Sequence, residues 1–495
     1  MSRSTTFRPL CSGLRASLRS LVRPVSGAKL LLALALSGWS LLGTQKTSAA
    51  DKYLLLNYSP SGNFSPPGST SANVMGYVAA KFGAANQAST LKVGVSCLYL
   101  PGWNGAASEL TLLRSDLARA ETLGVPILVQ VDTETWLPKS LLNWYDPGAD
   151  GYDPAKTADV EWYGWDASTA VKLSWRNWGF SFRIGPTPNF LSPNFQAFEK
   201  AIYDQFLPVV VAWYNNLPVN KKWLLVGWRC GVESAINSNY RFFPNGNSYY
   251  DTPNQNPAWS DNYQALGYNA AKTAGIKTSG TLTSADNAKI VGRHLTYLAK
   301  MAYDAGIPRA KISVHGTFYG TTQEDLDALV NPYGDPGVSF YGSPGSPLKD
   351  NAALMQAVQT AKASDGATGY CYGELNLFTT DYNTWFAWFK NALLDAPDCI
   401  YQALYNFDSV QQIAPVENAL LDAMALYPAP PPPADGTWSL DGDGLWSAKA
   451  NWTGGTVAND TGLTANFGTI DITRDRAIHL DSTRIIGNLV FGDAN

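Results

Sequence analysis

The feature that most constrains this chain is an alternation of short apolar runs with helical patterns, repeated eight times between residues 51 and 427. The runs are Tyr53–Asn57, Leu91–Leu98, Gly124–Asp132, Trp223–Cys230, Lys311–His315, Gly337–Phe340, Gly369–Tyr372 and Cys399–Leu404. They are apolar at consecutive positions, as strands covered on both faces must be. Segments around 72–82, 108–123, 195–215, 285–305, 352–361, 382–394 and 416–426 predict helices between them. In 285–305, for example, Ile290, Leu295, Leu298 and Met301 share one side. Eight such β–α units predict an α/β fold, a (β/α)8 TIM barrel with long insertions in its βα loops. An open doubly wound sheet competes, but no Gly-rich phosphate loop follows the first strand.

Composition narrows the partners. At 45% hydrophobic and 15% charged residues the chain supports a large core. Its net charge of -4 argues against nucleic acid or an anionic membrane as the main partner. The 17 Trp and 25 Tyr exceed what core packing asks for, and aromatic rings are suited to the apolar faces of sugars, so a carbohydrate is the expected partner.

The ends differ from the middle. Residues 1–50 read as an export signal: Arg3, Arg8, Arg15, Arg19, Arg23 and Lys29 precede the apolar run from Leu30 to Leu42, and Ser48-Ala49-Ala50 offers a cleavage site. Ser37, Gly38 and Ser40 interrupt that run, so no stable membrane insertion is expected after cleavage. The catalytic unit is then expected over 51–427. Prolines at 428–435 predict an extended linker. Residues 436–495 predict a small all-β segment of short strands with Gly and Asp turns. Cys97, Cys230, Cys371 and Cys399 are scattered singly, which fits buried thiols as well as oxidised pairs. Histidine occurs only at 294, 315 and 479, so neither a metal site nor a cofactor is expected.

Chemistry is expected at the strand ends. Glu233 closes Trp223-Leu-Leu-Val-Gly-Trp-Arg-Cys-Gly-Val-Glu233, the fourth unit, and Glu374 lies in Gly369-Tyr-Cys-Tyr-Gly-Glu374, the seventh. In a barrel of this kind the active site lies at the carboxyl ends of the strands. Two carboxylates across one pocket are the minimum equipment for cleaving a glycosidic bond. Arg229 is the candidate to support either of them. Asp132, Trp136, Trp228, Asn237, His315, Tyr341, Asn376 and Tyr405 are the candidate substrate-binding residues, with Glu134, Trp103 and Trp165 of lower rank. Each has a bland reading: Asp132 as a helix cap, His315 as a structural histidine, any tryptophan as core.

The positions of the two glutamates resemble those of the retaining β-glycoside hydrolase superfamily of (β/α)8 barrels, over residues 51–428. The resemblance implies Glu233 as general acid/base and Glu374 as nucleophile. That superfamily has asparagine immediately before the fourth-strand glutamate, its amide holding the sugar 2-hydroxyl; here the position is Val232, and Asn237 or Asn376 is the candidate to replace it. Gly231-Val-Glu233 with Arg241 and Pro244, and Gly373-Glu374-Leu-Asn376, are also faintly similar to segments of the inverting β-amylase barrels. Retention implies a carboxyl separation of about 5–5.5 Å and inversion about 6.5–9.5 Å. The segment Trp438-Ser…Trp446…Asn451-Trp452, with Ile486-Gly-Asn-Leu-Val-Phe491, resembles the opening unit of the β-strand repeat of bacterial autotransporter-associated proteins, which implies a bacterial surface or secreted product. A non-catalytic carbohydrate-binding or adhesion protein, and a structural surface protein without a ligand, are the competing readings.

Overall fold

The computed structural model describes residues 51–492 except 63–69, 178–180, 254–255, 259, 261, 318–325, 327, 342–343, 366–367, 406–409, 429–433, 472 and 482–485. The expected leader and most of the expected linker lie outside the described residues. Two compact units emerge, Ala49–Ala429 and a second that contains Pro430–Asn495.

In the larger unit the strands are β1 (Lys52–Tyr58), β2 (Leu91–Tyr99), β3 (Ile127–Val131), β4 (Ser174–Asn177), β5 (Ser181–Ile184), β6 (Leu225–Ser234), β7 (Tyr240–Arg241), β8 (Ile312–Gly316), β9 (Gly337–Tyr341), β10 (Tyr370–Asn376) and β11 (Cys399–Leu404). Eight of them close a parallel barrel in the order β1-β2-β3-β6-β8-β9-β10-β11, with β11 pairing back onto β1. Each of the eight expected strands is present, and sequence neighbours are spatial neighbours, the simplest right-handed β–α winding. The expected helices are present too, among them Ser71–Ala88, Ala106–Leu123, Pro193–Asn216 and Ser284–Asp304. Their ends follow local chemistry. Ser192 caps Pro193–Asn216, whose first residue is proline, and Thr283 with Asp286 forms a capping box.

The long insertion after β3 folds in a way the sequence pattern did not predict. Its strands β4 and β5 pair antiparallel with each other, and β4 pairs antiparallel with β7, which follows the fourth barrel strand. This small sheet stands beside the end of β6 and supplies a buried arginine to it.

Side chains fill the barrel in layers. Tyr53, Leu55, Leu128, Val226, Cys371, Tyr401 and Ala403 form an apolar lower layer. Above it Gln130, Arg229, His315 and Ser339 form a polar layer joined by hydrogen bonds. The four cysteines at 97, 230, 371 and 399 are buried free thiols on barrel strands. Among the described residues no helix is long and apolar enough to cross a membrane, and no group of His, Cys, Asp and Glu is arranged to hold a metal ion.

The smaller unit is all-β in its strands: β12 (Gly436–Thr437), β13 (Gly444–Leu445), β14 (Asp460–Asn466), β15 (Ile478–His479) and β16 (Ile486–Val490). They pair in parallel, as β12-β14-β16 and β13-β15. Trp438, Trp446 and Trp452 pack edge to face, 5.0–5.2 Å between centroids, around Phe467.

Candidate active site

Both glutamates sit on irregularities of the ladder. Between the pairs Cys230↔Val314 and Ser234↔Gly316, β6 advances four residues while β8 advances two. Between Tyr372↔Val338 and Glu374↔Ser339, β10 advances two while β9 advances one. Extra residues of this kind bend a strand and re-aim its side chains. Here they turn Glu233 and Glu374 at the carboxyl ends of the fourth and seventh barrel strands.

The β6 bulge requires unusual backbone. Gly231 has φ 80°, which glycine adopts at little cost, and Glu233 has φ 50°, the left-handed region that a glutamate enters only under constraint. The constraint is visible in the carbonyls. That of Gly231 accepts from Gln130 Nε2 at 2.6 Å, and that of Val232 from Arg176 on β4 at 2.6 Å. The carbonyl of Glu233 accepts from Asn239 Nδ2 at 3.1 Å and Thr317 Oγ1 at 3.0 Å. Backbone groups that left the ladder are thereby paired with side chains, most of them fully buried.

The Asn239 amide also reaches the carboxylate itself, donating to Glu233 Oε2 at 3.2 Å. The sequence pattern offered Asn237, two residues earlier, as a contact for the sugar and gave no role to Asn239. Asn237 spends its amide on the Leu266 backbone, donating to the carbonyl at 3.1 Å and accepting from the N–H at 2.7 Å, and so does not reach Glu233. The available signal was the pair of asparagines just after the strand; which one turns inward depends on β7.

Behind the bulge Ser234 donates to Glu134 Oε1 at 2.7 Å. Glu134 also meets His294 Nε2 at 3.0 Å, and His294 Nδ1 lies 3.7 Å from Glu199. All three are fully buried. Burial lowers the His294 pKa, but Glu199 and Glu134 outweigh that and raise it.

Glu374 is held from the other side. Tyr341 donates its phenol to Glu374 Oε2. Arg229, pointing into the barrel, donates to the Gly373 carbonyl and to Gln130, tying the fourth strand to the backbone just before Glu374. Burial, then the charge of Glu233, push the Glu374 pKa up to about 8, against the opposing pull of Tyr341, Arg229 and Arg176. The carboxylates therefore act on each other electrostatically, and one proton is held near neutrality.

The remaining candidates divide. Tyr405 is at the rim, 37% exposed, its ring edge-on to Tyr341 at 6.0 Å. Trp136 is stacked on Phe182 at 5.4 Å and lies 4.4 Å from Trp103, which is 49% exposed. Asn376 braces the rim, its amide donating to the Tyr405 carbonyl at 3.0 Å and accepting from Phe378 N–H at 2.8 Å.

Three expectations are corrected as substrate contacts. Trp228 is fully buried and packs edge-on against Tyr203 of the helix layer at 5.2 Å. An extra residue between Leu225 and Gly227 reverses the alternation of β6, so Arg229 points inward in its place. His315 is fully buried, hydrogen-bonded to Ser339 at 2.9 Å and near Gln130 at 3.4 Å. Burial, then Arg229 and Arg176, hold it well below the usual imidazole range, as a neutral structural group. Asp132 is 2% exposed and caps the next turn, accepting from Glu134 N–H and Thr135 N–H at 2.8 Å each. Of the lower-ranked residues, Trp165 of the insertion donates to the Gly280 carbonyl at 2.7 Å, in the segment that precedes the helix Ser284–Asp304.

No protein-family model matches the chain, and no curated protein matches it. Solved structures similar to it include a GH5-4 broad-specificity endoglucanase from an uncultured bacterium, at TM-score 0.39 and 10% identity over 76% of this chain and 97% of that one. A GH5_18 protein from Streptomyces cattleya in complex with GlcNAc has TM-score 0.38 and 13% identity over 79% and 85%. The GH5_18 protein from Bifidobacterium longum has TM-score 0.39 and 11% identity over 80% and 82%. At such scores and identities the fold assignment rests on the strand pairing described above.

Proposed function

We propose that this chain is an exported glycoside hydrolase that cleaves a poly- or oligosaccharide with Glu233 and Glu374, retaining the anomeric configuration. The single observation that supports it is the electrostatic pairing of two carboxylates from the ends of the fourth and seventh barrel strands, Glu233 buried and Glu374 half-buried, with Tyr341 bonded to the second.

In this reading Glu233 carries the proton when a sugar fills the site. It gives that proton to the glycosidic oxygen as the bond to the anomeric carbon breaks, and Glu374 takes the anomeric carbon as a covalent ester. Glu233, now ionised, accepts a proton from water as the water oxygen displaces Glu374. The phenol of Tyr341 favours the ionised form of Glu374, and the positive charge developing on the sugar ring favours it further. Asn239 holds the acid through its amide, a contact distinct from the sugar-binding asparagine that is missing at Val232. Export rests on the leader-like residues 1–50, and surface display or secretion on the repeat-like segment 436–495.

The test is release of reducing sugar from a panel of β-linked glycans, with the anomer of the first product read by proton NMR. Net retention is expected. Inversion would overturn the nucleophile role of Glu374, and binding without release from any glycan would favour a non-catalytic sugar-binding protein.

A further inference from the structure

A cavity lies where the insertion meets the end of β3. Its volume is about 350 Å³, at the lower end of the range for small-molecule sites. Lys139, Lys172 and Arg183 line it, and no aspartate or glutamate does. Trp136 supplies an aromatic wall, and Tyr145 and Tyr250 meet edge to face at 4.5 Å on another part of the lining.

Three cations around one cavity repel each other and gain by taking in an anion. Arg183 is fixed in place, donating to the Tyr249 carbonyl at 2.8 Å and the Thr252 carbonyl at 2.5 Å. Those bonds use one nitrogen of its planar fork. Among the described residues neither the Lys139 nor the Lys172 ammonium is paired with a carboxylate. Asp146, outside the lining, accepts from the Tyr250 hydroxyl at 2.8 Å. Such an array is unexpected in a chain of net charge -4, and an aromatic wall beside cations is the combination that a charged sugar ring asks for.

The geometry points to a subsite for a glycan bearing an anionic group, a carboxylate or a sulfate ester, held by Lys139, Lys172 and Arg183 with its ring against Trp136. The assignment depends on the hydrolase reading only for the ligand being a glycan. Arg183 belongs to β5, in the same small sheet whose β4 strand supplies Arg176 to the Glu233 bulge. The acidic subsite and the acid-bearing bulge thus share one scaffold.

The experiment is calorimetric titration of the full chain, and of a Lys139→Ala/Lys172→Ala variant, with three probes. These are glucuronate-substituted xylo-oligosaccharides, sulfated galactan oligosaccharides, and the unsubstituted counterparts of both. At least one anionic set is expected to bind at least about fivefold tighter than its neutral counterpart. That preference is expected to shrink with added salt and to vanish in the double variant, with neutral binding unchanged. Which anionic set is preferred identifies the group. Equal binding of substituted and unsubstituted probes, a preference retained in the double variant, or no binding of any probe would overturn the subsite. Turnover read in parallel separates the two claims. Neutral and acidic glycans cleaved alike sinks the subsite and spares the hydrolase; acidic preference with no glycan cleaved does the reverse.

Discussion

Gly373 lies against the imidazole of His315, so that a methyl group on it would sit 2.5 Å from Nε2 and closer still to Cδ2. The bulge that aims Glu374 therefore needs a residue without a side chain, because the ring beneath it is clamped by Ser339. Gly373→Ala is expected to cost about 1–3 kcal/mol of stability, the usual range for an overpacked core, and to lower turnover by displacing the next residue. Chemical denaturation and kcat check this. A variant as stable and active as the parent would mean that the His315 ring yields freely.

Tyr341 makes a different kind of contact with the same carboxylate. Its phenol favours the ionised form of Glu374, so Tyr341→Phe removes a lowering influence and the Glu374 pKa rises further. The limb of the pH–kcat/KM profile that reports ionisation of the nucleophile is expected to move to higher pH, with kcat down about tenfold or more. A limb that stays in place, or moves to lower pH, contradicts the contact.

Asn239 and Asn237 form a matched pair for mutagenesis. Asn239→Ala removes bonds to both the carbonyl and the carboxylate of Glu233, and is expected to reduce kcat by about 10²–10³, as loss of one polar contact at a reacting centre does. Asn237→Ala loosens only the Leu266 loop and is expected to affect thermal stability more than kcat. Steady-state rates for the two variants decide, and the reverse order would contradict the role of Asn239.

Acids that are buried, as Glu199 and Glu161 are, or half-buried, as Glu374 is, also set how stability depends on pH. Glu374, Glu199 and Glu161 all have folded-state values raised from the ordinary 4.5 to about 8, chiefly by burial. The folded chain holds protons that the unfolded chain has released, so the stability they contribute is fully present below pH 4.5 and is lost as pH rises towards 8. Glu374→Gln removes one of these groups. It is expected to melt higher than the parent at pH 9, by about 2–4 °C, with a smaller difference at pH 5. Thermal melts at the two pH values suffice, and a variant that loses stability at pH 9 contradicts the burial of charge at this position.

Much of this was legible in the sequence, for physical reasons. Parallel strands covered on both faces must be apolar throughout, so Leu54–Leu56, Val93–Val95 and Ile127–Val129 announce themselves, and eight of them in alternation imply closure. Glu233 and Glu374 stood out because a charge at the end of such a run has to be explained. What the sequence hid depends on register. One extra residue near Val226 turns Trp228 out and Arg229 in, and no periodicity reveals it. The strands at 174–177 and 181–184 are too short to signal, yet the first holds Asn239 in place, the Asn177 N–H donating to its carbonyl at 3.2 Å. His315 and Asp132 looked like mouth residues from strand position alone; neighbours distant in sequence, and burial, made them structural.

The proposed chemistry requires Glu233 and Glu374 to act together on one glycosidic bond. Its most direct test is kcat for Glu233→Gln and Glu374→Gln on a glycan that the parent chain cleaves, with folding verified by circular dichroism. Each substitution keeps the shape and removes the charge, and each is expected to lower kcat by about 10³ or more, with the double variant little worse than either single one. Either folded variant turning over at near the parent rate would contradict the account.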